Sequence, residues 1–322
     1  MNELINQMEL PLTSLTVKAV ITRDIAWNSF PGSVIHGVLG YNLKELTCVA
    51  SHRNCGRCFL VADCPYGMIY ESPLPTGTQR MRLYPQSPHP LRLTIDPWNG
   101  SNTQEGECFT IGLTLFGRAT TCGLLMLLSL EKAFQDGLGR KYKGDRGHAR
   151  IIEVRDDLSG VSHDWGEPKN NFGQAANLRV LKDLIPGKFS SAVKISFQSP
   201  TKIITNEKVN FQPTVRDIVS SIMRRLGNLV YFHGGREMKL NYEAIIAKAE
   251  NVSAEYALKR VRAVRYSGRQ EKKIDISGIA GEITITNCPD ELAAVLYAGH
   301  YIGIGKGTTM GLGEMIIMII GN

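Results

Sequence analysis

The strongest constraint on this chain is an order of strands and helices that runs through it twice. Leu15–Thr22 alternates apolar and polar residues in the manner of a half-buried strand. Phe30-Pro31-Gly32-Ser33 makes a turn, from which Ser33 is expected to cap a helix running to about Leu46. An irregular stretch rich in Cys, Gly and Pro follows, from Cys48 to about Thr78. Strands then resume, Phe109–Phe116 being the clearest. Leu124–Phe134 reads as a helix stopped by Gly137 and Gly139, and Ile151–Val154 closes the unit as a strand. The mixture of Asp, Ser, Gly, His, Asn and Pro over Asp156–Phe172 reads as a linker. Beyond it the order returns. Ala192–Ile204 is a strand, and Thr214 opens a helix containing Ile218, Ile222 and Leu226. A further helix covers about Asn241–Glu250, before strands at Ala254–Tyr266 and Ile279–Thr286, a helix at Pro289–Ala298 and a strand at Glu314–Ile320.

Strand, helix, two strands, helix, strand is the ferredoxin-like order. The expectation is an α+β protein of tandem ferredoxin-like (RRM-like) domains over residues 1–160 and 173–322, with a cysteine-rich insertion at about 48–78 of the first. A length of 322 residues suffices for two separate cores. No apolar run approaches the ~18 residues that span a bilayer. Met1–Leu10 carries two glutamates and no basic residue, unlike a secretory signal. The expected compartment is the cytoplasm, with no membrane partner.

A formal charge of +7 favours a polyanionic partner. Its distribution is more telling. Lys259, Arg260, Arg262, Arg265, Arg269, Lys272 and Lys273 face a single acid, Glu271, over one short segment. A second cluster runs Arg140, Lys141, Lys143, Arg146, His148, Arg150, opposed by Asp145. Near the C-terminus, a helix, a glycine loop and a strand succeed one another. The loop reads Gly303-Ile-Gly305-Lys306-Gly307-Thr308-Thr-Met-Gly311-Leu-Gly313. Its glycines let backbone approach a partner closely, exposed amides can cradle phosphate oxygens, and Lys306 adds a full charge. A nucleotide-binding P-loop runs strand, loop, helix, with Gly-Lys-Ser/Thr opening the helix. Here the order is reversed and Gly307 follows Lys306, which excludes that reading and a Rossmann loop with it.

Gly305-Lys-Gly-Thr-Thr-Met-Gly-Leu-Gly313 resembles the glycine-rich signature of RAMP proteins. Ser33-Val-Ile-His-Gly-Val-Leu-Gly40, Cys55-Gly-Arg-Cys58 with Cys64-Pro-Tyr66, Phe109–Arg118, Gly137-Leu-Gly-Arg140 and Gly278-Ile-Ala-Gly-Glu-Ile resemble, in order, blocks of the CRISPR repeat-processing endoribonucleases (Cas family six). The resemblance spans about residues 30 to 316. It implies cleavage of CRISPR repeat RNA in precursor transcripts, without a catalytic metal, by attack of a 2′-hydroxyl that leaves a cyclic phosphate. CRISPR repeat and guide RNA are the implied partners, together with subunits of a CRISPR effector complex. The second reading is a non-catalytic RAMP subunit that holds guide RNA. Arg260, Arg262, Arg265 and the loop residues Gly303, Gly305, Lys306, Gly307, Thr308, Gly311 and Gly313 are the expected RNA contacts under either.

Members of the family place a catalytic histidine on or just after the first helix, which selects His36 and His52 from seven histidines. The usual arginine before the glycine of that helix is replaced by His36. Histidine serves as base or acid near neutral pH, and a cation stabilises the phosphorane charge. His36, Gly40 and Lys44 fall on one line at i, i+4, i+8, apart from the core positions expected at Ile35, Leu39 and Leu46. That line would join an imidazole to an ammonium on a polar face. Four of the seven cysteines, Cys48, Cys55, Cys58 and Cys64, fall within 17 residues. They read as a structural zinc set of four thiolates; the alternatives are reduced thiols packed in the insertion, or two disulfides.

Overall fold

The computed structural model describes the chain apart from residues 28–29, 98–102, 143, 167–176, 190, 268–270 and 321–322. Lys143 and Arg269 of the basic clusters, and much of the expected linker, lie outside the described residues. From the N-terminus the chain forms α1 (Asn2–Asn6), β1 (Pro11–Arg23), α2 (Pro31–Thr47), β2 (Leu91–Asp96), β3 (Cys108–Phe116), α3 (Gly123–Asp136), β4 (Leu138–Tyr142), β5 (Asp145–Asp156) and β6 (Ser162–Asp164). It continues through β7 (Arg179–Val180), α4 (Leu181–Leu184), β8 (Ala192–Thr201), β9 (Ile203–Thr205), β10 (Lys208–Asn210), α5 (Val215–Leu229) and α6 (Tyr242–Glu250). The last elements are β11 (Ser253–Val261), β12 (Val264–Ser267), β13 (Lys272–Asp275), β14 (Gly278–Thr286), α7 (Asp290–Ile302) and β15 (Met315–Ile320). Helix and sheet are thus mixed throughout. None of the described helices is long and apolar enough to cross a membrane.

Two compact units result, one of Leu12–Leu178 and one of Arg179–Asn322 together with Met1–Pro11. The first eleven residues therefore belong with the C-terminal unit. Their anchors are ionic: the amino group of Met1 lies 2.9 Å from Glu291, and Glu9 meets Lys182 at 2.9 Å and Arg236 at 2.8 Å.

In the unit Leu12–Leu178, the antiparallel sheet runs β2-β3-β1-β5-β4, with β6 on the side of β5. Alternation along β1 buries Leu15, Val17, Ala19 and Ile21. Ile35, Leu39 and Leu43 of α2 and Met126, Leu127, Leu130 and Phe134 of α3 complete that core. Leu46, expected in it, is 47% exposed, and Leu43 takes its place. Helix α2 starts at Pro31, ahead of the expected Ser33 cap, and Phe30 precedes it without a side-chain cap. Proline at the first position lacks the amide that a cap would satisfy, and its φ is already helical. Gly137 ends α3 with φ +104°, as its position after Phe134 suggested.

The other unit has a four-stranded antiparallel sheet, β11-β14-β8-β15. Val193, Ile195 and Phe197 of β8 and Ile283 and Ile285 of β14 are buried, as are Ile218, Ile222 and Leu226 of α5 and Leu292, Val295 and Leu296 of α7. Thr214 caps α5 through a reciprocal bond with Asp217, worth about 1 kcal/mol. The single strand expected over Ala254–Tyr266 is two. β11 ends at Val261, and β12 turns away to pair with β13. Ala263 holds the break, its carbonyl accepting from the Ile276 amide at 3.0 Å and its amide donating to Ser277 Oγ at 3.2 Å.

Candidate functional site

Positions four apart on a helix share a face, so His36, Gly40 and Lys44 do line up on α2. The structure covers that line with aromatic rings. A π-helical turn at Gly67–Glu71 places Tyr70 on His36, ring centroids 4.9 Å apart and planes tilted by 33°. Tyr66 lies parallel to Tyr70 at 5.4 Å, and Lys44 Nζ stands 5.0 Å from the centroid of Tyr66. The order of the stack is imidazole, phenol, phenol, ammonium. Tyr70 also donates its hydroxyl to the His36 carbonyl at 3.1 Å. Glycine at 40 makes room for the ring, because a Cβ there would lie 2.5 Å from Tyr70 Cε1. Burial pushes the Tyr70 hydroxyl far above the usual phenol range, and neighbouring Tyr66 adds to the effect. Tyr70 therefore stays a neutral donor. His36 is half-buried and its Nδ1 is shielded from solvent.

Lys44 reaches past Tyr66 to Cys55. Partial burial raises that thiol, while the charge of Lys44 and its hydrogen bond pull the other way. Cys64 lies near enough to Cys55 for its charge to act on that thiol as well. Cys48 Sγ donates to the Ala50 carbonyl at 3.8 Å, Cys64 Sγ accepts from the Gly67 amide at 3.2 Å, and all seven cysteines are free. Among the described residues, no group of three or more His, Cys, Asp or Glu side chains is placed to hold a metal ion. Cys48, Cys55, Cys58 and Cys64 lie in or beside the turns that lead to the tyrosine stack.

His52 stands apart from this stack. It is exposed, and its Nδ1 accepts from the Asn54 amide at 3.0 Å within a turn. Two other histidines are set by backbone carbonyls, His148 Nδ1 donating to Phe134 at 3.3 Å and His300 Nδ1 to Met315 at 3.1 Å. His89, between two prolines, is half-buried with Nδ1 at 2.9 Å from Ser72 Oγ.

In the unit Arg179–Asn322 the glycine loop departs from the open cradle expected of it. Gly303, Gly305, Gly307, Gly311 and Gly313 all have positive φ. Gly303, Gly311 and Gly313 are buried, Gly305 and Gly307 are half-buried, and Thr308 is 3% exposed. Many of the amides are spent inside the fold. Lys306 donates to Lys202 at 3.0 Å, Ile304 to Gly313 at 3.0 Å, Gly313 to Pro200 at 3.2 Å and Met310 to Gly307 at 2.8 Å. A Cβ at 305 would collide with the Lys202 carbonyl oxygen, and one at 313 with that of Ile304. The loop's exposed charge is Lys306. At its entry, Arg225 Nε donates to the Ile302 carbonyl at 2.7 Å.

Lys259, Arg260, Arg262, Lys272 and Lys273 are exposed and Arg265 is half-buried. Pairing sets Tyr266 opposite Lys273 in the β12–β13 hairpin, with Tyr266 48% exposed. An aromatic ring beside cations suits single-stranded nucleic acid. Sequence reasoning missed the two rings on α2. Their i, i+4 spacing at Tyr66 and Tyr70 was the available signal, but the helix they cover is about 30 residues away.

Comparison with known proteins bears on the fold and on part of the sequence. Residues 195–315 match the family model of the CRISPR-associated endoribonuclease Cas6, and residues 10–169 match a model described as an N-terminal domain. No curated protein sequence matches the chain. Among solved structures, Thermus thermophilus Cas6 is similar with a TM-score of 0.54 at 15% identity, over 96% of this chain and 99% of that one. A Cas6 product complex gives 0.58 at 15% identity, over 95% of this chain and 100% of the other. A partial Cas6-RT-Cas1–Cas2 complex gives 0.55 at 13% identity, over 97% of this chain but 46% of that larger one. Identities this low speak for the fold, shared along nearly the whole length. Residues 195–315 thus carry the domain described by the family model of the CRISPR-associated endoribonuclease Cas6.

Proposed function

We propose that the protein cuts precursor CRISPR RNA within its repeat by metal-independent transesterification, with His36 as the proton carrier. The ribose 2′-oxygen attacks the adjacent phosphorus, the bond to the 5′-oxygen breaks, and a 2′,3′-cyclic phosphate and a 5′-hydroxyl result. A proton leaves the 2′-hydroxyl and another is delivered to the 5′-oxygen, and an imidazole serves either transfer near neutral pH. What carries this reading is the grip on His36, whose ring rests on Tyr70 while its carbonyl accepts from the same tyrosine. A catalytic group held this way loses little freedom on reaching the transition state. Lys44, at the far end of the stack, positions Tyr66 and through it Tyr70. His52, in its exposed turn, is the second choice for the proton. Arg260, Arg262, Arg265 and Lys306 neutralise phosphates outside the reacting bond.

The matching strand orders support reading both units as ferredoxin-like. The orders β2-β3-β1-β5 and β11-β14-β8-β15 correspond once the edge strand β4 of the first sheet is set aside, and Cys48–Thr78 is read as an insertion after α2. Guide RNA and CRISPR complex subunits are the partners this reading implies, and the cytoplasm is where their transcripts arise.

The test is single-turnover cleavage of a repeat hairpin in EDTA. His36→Ala is expected to slow it by at least ~100-fold with little change in RNA affinity. Loss in His52→Ala with a native rate in His36→Ala moves the proton to the loop. A wild-type protein that binds the hairpin and leaves it whole is a guide-holding subunit instead.

A further inference from the structure

A cleft of about 720 Å³ opens beside the basic edge strand β11, and of its lining the reading above uses Arg260 alone. Its lining comes from the end of β10 and the turn into α5 (Val209–Thr214), and from Tyr256, Leu258 and Arg260 of β11. Those three β11 residues alternate onto one side of the strand. It is the side of α5, because the Tyr256 hydroxyl accepts from the Val215 amide at 3.2 Å. The cleft contains a ready-made stack, the Arg260 guanidinium carbon lying 4.1 Å from the centroid of Phe211. Phe211 is half-buried, and Gln212 is exposed at the same place. Lys259 and Arg262 are exposed on either side of Arg260, and β11 has β14 as its strand partner on one edge only among the described residues.

The site suits a flat ligand, because it offers an aromatic ring with a guanidinium already over it. The ligand must carry negative charge, because the cations flank them. A nucleotide meets both demands, and a pocket of this size admits one. An acidic peptide meets only the second. We propose that this cleft holds one unpaired nucleotide of the RNA, its base extending the Phe211–Arg260 stack by one plane and its phosphate lying toward Lys259 and Arg262. The proposal rests on the RNA-processing reading and adds to it a grip on single-stranded RNA on the helix-bearing side of this sheet.

A fluorescein-labelled adenosine dodecamer, titrated by anisotropy into the full chain, tests it. Phe211→Ala is expected to weaken binding about 10-fold, since a base stacked on an aromatic ring contributes roughly that much. Phe211→Trp should bind as wild type or more tightly. Arg260→Ala should weaken binding and reduce the slope of log affinity against log salt by about 0.7, one single-strand phosphate. Native affinity in Phe211→Ala overturns the proposal, as does equal weakening in Phe211→Trp, which would mark Phe211 as packing alone. An oligoglutamate dodecamer that binds wild type as tightly as the RNA assigns the cleft to acidic peptides and overturns it as well. The underlying reading fails differently: wild type would then neither bind nor cut a repeat hairpin, and both conclusions would fall together.

Discussion

Two glycine-bearing regions, both expected to present open polar surface, are closed in different ways. On α2, Gly40 admits a neighbour's side chain, the ring of Tyr70. In the loop before β15, Gly305 and Gly313 admit backbone carbonyls, at left-handed φ values of +75° and +69°. A ring can slide and leave the fold standing; a carbonyl that belongs to the adjoining strand or turn cannot. The first region should therefore yield function to mutation before stability, and the second stability before function.

Gly313→Ala tests the harder limit. It combines unfavourable φ with a Cβ driven into the Ile304 carbonyl, and should cost more than about 3 kcal/mol in urea unfolding. A folded Gly313→Ala protein of native stability and impaired RNA binding would break the comparison, because the glycine would then serve the ligand directly.

Closure by a charged side chain gives an intermediate case at Asp156. Its Oδ2 accepts from the Asn177 amide and side chain at 2.8 and 2.9 Å, and its Oδ1 from Leu158 and Ser159 at 2.8 and 3.3 Å. Burial alone would raise this carboxyl, but those donors outweigh it and hold it below the usual range. A depressed folded value stabilises above the unfolded value of about 3.9 and is lost as pH falls through the folded one. Asp156→Asn should cost about 2 kcal/mol at neutral pH and flatten the loss of stability below about pH 4. An unchanged acid limb in the variant would show that other carboxylates govern it.

Gly40→Ala probes the softer region. Displacing the Tyr70 ring should cost about 1 kcal/mol of stability and slow cleavage roughly 10-fold, with RNA affinity unchanged. A normal rate would uncouple the stack from His36. The smallest effect is expected for Lys306→Ala. That side chain is exposed on a loop packed inward, so affinity should drop only a few-fold and the salt slope by about 0.7. A large loss there would return the loop to the role of phosphate cradle.

Much of the fold was legible because its signals are local. Alternation in Leu15–Thr22, the capping pair Thr214 and Asp217, and Gly137 after a helical run each act within a few residues. The break after Val261 was not, since its alternation continues into β12 and the bonds that end β11 come from Ile276 and Ser277. The site divides the same way. The line of His36 and Lys44 follows from helical period, whereas the rings between them come from a turn whose partner is remote in sequence. Glycine density correctly marked the C-terminal loop, but density does not distinguish backbone meeting a ligand from backbone meeting itself.

The edge position of β11 has one more consequence. An unpaired strand edge is a template for another chain, and folded proteins blunt such edges with charge. Exposed Lys259, Arg260 and Arg262 therefore also act as a guard against self-association. Stripping them to abolish RNA binding would leave a bare edge, and the resulting protein would be lost to aggregation before its weaker affinity could be measured.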